Sequence, residues 1–179
     1  MLKMIIIALF AFVLMFANIS LGEPSEMIEV GSGEVRYMGI IKVYDAALFV
    51  SEKVPGVMIQ TGQISKCLKL DYAVSLTVDD FIKGAATVLQ RQHSVEKINT
   101  VEKEIDMLHR SYRDVEKGDF YTLCYDASSS TTTLALNSEE LVNIDSADFA
   151  RLYFGIWLGP VAPLSERLRD DLLRETGGK

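Results

Sequence analysis

Between Lys66 and Leu76 the chain alternates: Leu68, Leu70, Tyr72, Val74 and Leu76 share one face, and charged or small residues hold most of the other. That pattern predicts a half-buried antiparallel strand. Upstream, residues 23–30 read as a short lead-in strand and Gly31-Ser32-Gly33 as a turn. Glu34 to Lys42 and Val43 to Val50, rich in Val, Ile, Tyr and Phe, read as strands, and Pro55-Gly56 as a second turn. After Leu76 the period changes. Thr77-Val78-Asp79-Asp80 has the form of a capping box, and Phe81, Ala85, Val88 and Leu89 follow at helical spacing. Ser94 is placed to cap one further helix with the stripe Val95, Ile98, Val101, Ile105 and Leu108.

The strand period returns after the Glu116-Lys117-Gly118-Asp119 turn. Phe120 to Asp126, Thr131 to Leu136 and Glu140 to Ile144 predict a meander, joined by Ser128 to Ser130 and by a turn near Asn137-Ser138. Asp145 or Ser146 then caps a helix with a full apolar stripe: Phe149, Leu152, Tyr153, Ile156 and Trp157. Gly159-Pro160 stops it, and Leu164, Leu168 and Leu172 mark a last helix. Strands, a helical middle, strands and two helices predict an α+β fold: an antiparallel sheet with helices packed on one face.

Residues 1–22 stand apart from that pattern. Lys3 precedes the apolar run Met4 to Ala17, and Ser20-Leu21-Gly22 places small residues at a cleavage position. This is the layout of a signal peptide, with an uncleaved anchor as the alternative. Residues 23–179 then form a single domain, in the periplasm or secreted, with no membrane span after signal cleavage. The formal charge is −7 and becomes one unit more negative without Lys3. Such an acidic domain has no electrostatic reason to bind nucleic acid or anionic lipid.

The chemistry-bearing residues are sparse. Cys67 and Cys124 both sit on the non-apolar side of their strands. They could pair if those strands are neighbours, or remain free thiols. With His93 and His109 far apart in sequence, no metal-ligand spacing is present, and no cofactor is expected. There is no nucleophile elbow and no phosphate loop. Gly31-Ser32-Gly33 lacks the third glycine and the βαβ unit of a dinucleotide site. Arg36 is the most suggestive side chain. Aimed into a sheet–helix pocket it would hold a carboxylate or enolate; otherwise it lies on the solvent face of an edge strand. Tyr44, Asp45 and Tyr72 are further candidate polar groups, each also compatible with ordinary sheet packing.

From about Gly31 to Leu173 the chain resembles the chalcone isomerase-like family, in particular its exported bacterial branch. The resemblance rests on Gly31-x-Gly33-x-x-Arg36 and Lys42-Val43-Tyr44-x-Ala46-x-Leu48-Phe49-Val50. Further on it rests on Lys117-Gly118-Asp119, Asp148-Phe149-Ala150 and Ile156-Trp157-Leu158-Gly159. It implies an open-faced sandwich and a ligand-binding role for Arg36, beside which Tyr44 and Tyr72 are the further candidate ligand-binding groups. The family holds both chalcone-cyclising enzymes and non-catalytic relatives, some binding fatty acids. Tyr44 stands where the enzymes carry Thr. Phe81 to Gln90 lacks their Tyr and Asn pair, and no Ser or Thr stands near Gly155-Ile156.

The leading expectation is therefore a non-catalytic binder of a small hydrophobic or carboxylate ligand, fatty-acid-like, with Arg36 on the acidic group. One alternative is an isomerase (an intramolecular lyase) acting on an enone, with Arg36 on the enolate and Tyr44 as proton donor. A structural or protein-interaction domain is the other.

Overall fold

The computed structural model describes residues 27–176. The expected leader lies outside the described residues. The strands are β1 (Ile28–Tyr37), β2 (Ile41–Val50), β3 (Lys66–Tyr72), β4 (Phe120–Asp126), β5 (Thr131–Leu136) and β6 (Glu139–Asp145). They form one six-stranded antiparallel sheet in sequence order. The helices are α1 (Gly56–Gln60), α2 (Val78–Gln92), α3 (Val95–Asn99), α4 (Glu102–Ser111), α5 (Ala147–Leu158) and α6 (Glu166–Leu172). This is the expected α+β architecture. Alternation along β3 buries Leu68, Leu70 and Tyr72 against α5, whose Phe149, Leu152, Tyr153, Ile156 and Trp157 are all buried.

The helix starts follow their caps. Thr77 and Asp80 make the reciprocal capping box of α2; Ser94, Ser146 and Ser165 each accept a backbone N–H at the start of α3, α5 and α6. Val101 is buried and separates α3 from α4, so the expected single helix is two. Pro55 opens α1 where only a turn was expected.

The first strand differs most from expectation. Gly31 and Gly33 are inside β1 and make no turn. They are glycines because α6 lies directly on the strand: a Cβ on Gly31 would stand 2.2 Å from the Asp171 carbonyl oxygen, and one on Gly33 2.9 Å from Leu168. The turn comes later, at Met38 and Gly39, both with positive φ (50° and 74°). A turn with positive φ at both central positions suits a β-hairpin, here within the three-residue connection Met38 to Ile40, but it usually carries Asn or Gly where Met38 stands. That absence of polar turn residues is why the expected strand ran through it.

Cys67 and Cys124 face each other across β3 and β4 with Cα atoms 4.0 Å apart and form a disulfide. By strand parity it lies on the sheet face away from the helices. No helix among the described residues is long and apolar enough to cross a membrane.

Candidate ligand cavity

The sheet and helices do not close against each other everywhere. A cavity of about 750 Å³ lies between β1–β5 and α2 and α5. Its wall is apolar and aromatic, with Leu70, Phe81, Leu123, Ile156 and Trp157 among its residues. Six of the seven tyrosines of the chain also line it: Tyr37, Tyr44, Tyr72, Tyr112, Tyr121 and Tyr153. Tyr37, Ile41, Asp80 and Gly84 line it and are also exposed, so the mouth lies between the β1–β2 turn and the first turns of α2.

The tyrosine hydroxyls divide into spent and spare donors. Tyr121 accepts from Arg113 N and donates to Arg113 O, at 2.8 and 2.9 Å. Tyr112 and Tyr153 hydroxyls are paired at 2.7 Å, and His109 Nε2 stands 3.4 Å from the Tyr153 hydroxyl. Tyr44 accepts from Trp157 Nε1 at 3.0 Å, so its own proton remains available. Tyr72 packs edge-on against Tyr44, Phe81 and Tyr121 and forms no hydroxyl hydrogen bond among the described residues. Tyr44 and Tyr72 are directly paired across β2 and β3, so two free O–H donors stand side by side in the wall. Burial pushes both phenols well above their ordinary pKa; they remain protonated donors.

Charge is almost absent from the lining. Asp80 is the one ionisable carboxylate there, and it serves the α2 cap: Thr77 N and Oγ1 donate to its Oδ2 at 2.9 and 2.7 Å. Those bonds hold its carboxyl below the usual range. No Arg, Lys or His lines the cavity among the described residues.

Arg36 lies outside this cavity. Its neighbours Val35 and Tyr37 line the cavity, so the strand period turns Arg36 to the other face. Its side chain is 42% exposed. It donates to Glu34 through Nε and Nη2 at 2.6 and 3.2 Å, and to the Ile40 carbonyl at 3.0 Å. Asp45 is also exposed, paired with Lys42. Of the expected polar groups the fold brings together only Tyr44 and Tyr72. It adds Tyr112, Tyr121, Tyr153 and the Trp157 N–H, which had no common signal in the sequence beyond apolar spacing.

The family model for chalcone isomerase-like proteins matches residues 22–174. The chain belongs to the chalcone isomerase-like family. No curated protein matches its sequence. Among solved structures it is similar to the crystal structure of a fatty-acid binding protein of Arabidopsis thaliana, with a TM-score of 0.62. The two are 12% identical, and the match covers 83% of this chain and 87% of that one. At that identity the likeness carries the chalcone isomerase-like fold alone.

Proposed function

We propose that this chalcone isomerase-like protein is a non-catalytic binder of a small hydrophobic, fatty-acid-like molecule. One observation carries the reading: a roomy, apolar cavity without a cation in its lining and with two unspent tyrosine O–H donors side by side. Its volume is within the roughly 300–1,000 Å³ range of small-ligand sites. The fatty-acid binding of the similar Arabidopsis protein points the same way. The polar end of the ligand accepts from Tyr44 and Tyr72 in place of Arg36. A buried carboxylate there would meet no cation, at a cost of several kcal/mol (roughly, by the desolvation of an unpaired ion). The preferred ligand therefore presents an uncharged oxygen: an ester, an alcohol, or an acid held protonated.

The same geometry weighs against the isomerase alternative. An enolate forming beside Tyr44 would have the phenol donors but no guanidinium, and electrostatic stabilisation is the largest part of such catalysis. Export is part of the proposal. The leader-like layout of residues 1–22 supports it, as does the Cys67–Cys124 pairing, which persists in oxidising compartments.

The test is titration of the purified protein at pH 7 with a fatty acid, its methyl ester and the matching alcohol. The ester and alcohol are expected to bind at least as well as the acid. Tyr44→Phe and Tyr72→Phe should each weaken binding about tenfold, the worth of one hydrogen bond to a buried acceptor. No binding of any of the three would overturn the reading. A clear preference for the ionised acid, lost in Arg36→Ala, would return the headgroup to Arg36.

A further inference from the structure

The β1–β2 turn is the most exposed apolar feature of the described residues. Tyr37, Met38, Ile40 and Ile41 are 63%, 80%, 78% and 54% exposed, consecutive but for Gly39. The segment carries no charge, and the charges flanking it cancel: Arg36 is paired with Glu34, and Lys42 with Asp45. Met38 also holds a positive φ that a residue with a long side chain rarely adopts, at a turn position where Asn or Gly would be at ease. Solubility and turn stability both argue against these residues, so their placement answers another requirement. Tyr37 and Ile41 meanwhile line the cavity, so this tip forms one side of its mouth.

We infer that the Tyr37–Ile41 tip docks the protein on a lipid bilayer, inserting Met38 and Ile40 among uncharged or zwitterionic headgroups with the cavity mouth facing the lipid. The tip is convex, and a soft surface accommodates a protrusion without a matching groove. Its lack of net charge suits neutral lipid, and the acidic chain gains nothing from an anionic one. A tyrosine at the rim of an inserted aliphatic tip is well placed at the headgroup level. A second copy of the chain fits poorly: four residues fall far short of the roughly 20–30 a side in a stable protein interface. Docking there would let an apolar ligand pass between bilayer and cavity without crossing water. That purpose rests on the binding reading above; the docking itself does not.

The experiment places an environment-sensitive dye on Met38→Cys in the full chain and, separately, on Ser129→Cys. Ser129 lies in the β4–β5 loop, at the opposite end of the sheet. The dye reports its own surroundings, whatever residues 1–26 do. With vesicles of neutral phosphatidylcholine, emission from position 38 is expected to shift to the blue and emission from 129 to stay unchanged. The shift should persist in high salt. Ile40→Ser in the position-38 chain should weaken the partition about tenfold, as expected for one exposed apolar side chain. Ile40→Ser should also keep the wild-type affinity for a free fatty alcohol in solution.

No shift at 38, equal shifts at both sites, or a shift that requires anionic lipid and fades with salt would overturn the inference. A blue shift without vesicles that grows with protein concentration would assign the tip to a second copy instead. Loss of alcohol binding in Ile40→Ser would make the tip a part of the cavity wall and overturn the docking role. A wild-type chain that binds vesicles through position 38 but no alcohol, ester or acid would sink the ligand-binding proposal and leave the docking standing.

Discussion

The two ends of the sheet's inner face are built from the same strands and come out differently. At one end Val50 pairs with Lys66, and the inner face of the strand is packed. Lys66 is fully buried, its ammonium donates to the Ile59 carbonyl, and it stands 4.9 Å from the Phe154 ring centre. There α6 presses its backbone onto Gly31. Six residues along the same face of β3, Tyr72 pairs with Tyr44 and the interior is hollow. The chain thus spends a buried cation and a close backbone contact at its closed end, yet leaves two phenol donors unspent at its open end. A smaller hollow of about 350 Å³ borders the closed end between α1 and α5, but no tyrosine lines it; the spare hydroxyl donors mark the larger cavity as the site.

The sharpest way to break this contrast is to wedge the closed end. Gly31→Ala places a Cβ against the Asp171 and Leu172 carbonyls, which are backbone and cannot swing aside. A loss of about 3 kcal/mol is expected, the upper part of the overpacking range, read as a fall in the urea midpoint. A change under about 0.5 kcal/mol would mean that α6 rides loosely on β1.

Next in size is the buried cation. Burial lowers the Lys66 pKa to about 8 from an ordinary value near 10.5. Between those values the unfolded chain holds more protons than the folded one, so stability should rise with pH. The buried phenols oppose this. Tyr72 and Tyr153 stay protonated in the fold well above 10, while the unfolded chain loses those protons, so their stability contribution falls at higher pH. The rise is therefore confined to about pH 8 to 10 and amounts to about 2 kcal/mol. Lys66→Met should abolish it. A rise of the same size in Lys66→Met would assign it to another group.

Much of this contrast was legible before folding, and the rest has physical reasons for being hidden. The alternation from Leu68 to Tyr72 fixed the inner face of β3, and the stripe from Phe149 to Trp157 fixed the helix opposite. Arg36 was legible too: its flanking apolar residues Val35 and Tyr37 already define the inner parity, which puts the arginine outside. Reading Gly31 to Gly33 as a turn obscured that, because a glycine that admits a helix backbone looks the same in sequence as one that bends a strand. The cavity itself was not legible. Tyr112 follows α4, Tyr121 is on β4 and Tyr153 on α5, and only tertiary packing brings them together. A hollow also leaves no periodic signature, since its walls are as apolar as a filled core.

A smaller effect sharpens the open end. Gly84 lies in α2 at the cavity mouth, with open space where a Cβ would stand. Gly84→Leu should raise stability by roughly 1 kcal/mol, the difference in helix propensity. It should weaken ligand binding at the same time, because the side chain grows into the space the ligand uses. Higher stability with unchanged affinity in the alcohol titration would place the ligand elsewhere.

The smallest expected effect separates the two faces of one strand. Arg36→Ala removes an exposed ion pair with Glu34 and a bond to the Ile40 carbonyl, next to the cavity in sequence but on the opposite side of β1. Exposed pairs of this kind contribute little to stability, and less in high salt. The melting temperature should fall by a degree or two at low salt, while affinity for an uncharged ligand stays at the wild-type value. If the headgroup instead reached around the strand edge to the guanidinium, affinity would drop with no comparable change in Tyr44→Phe. Comparing the two variants side by side therefore decides which face of β1 the ligand meets.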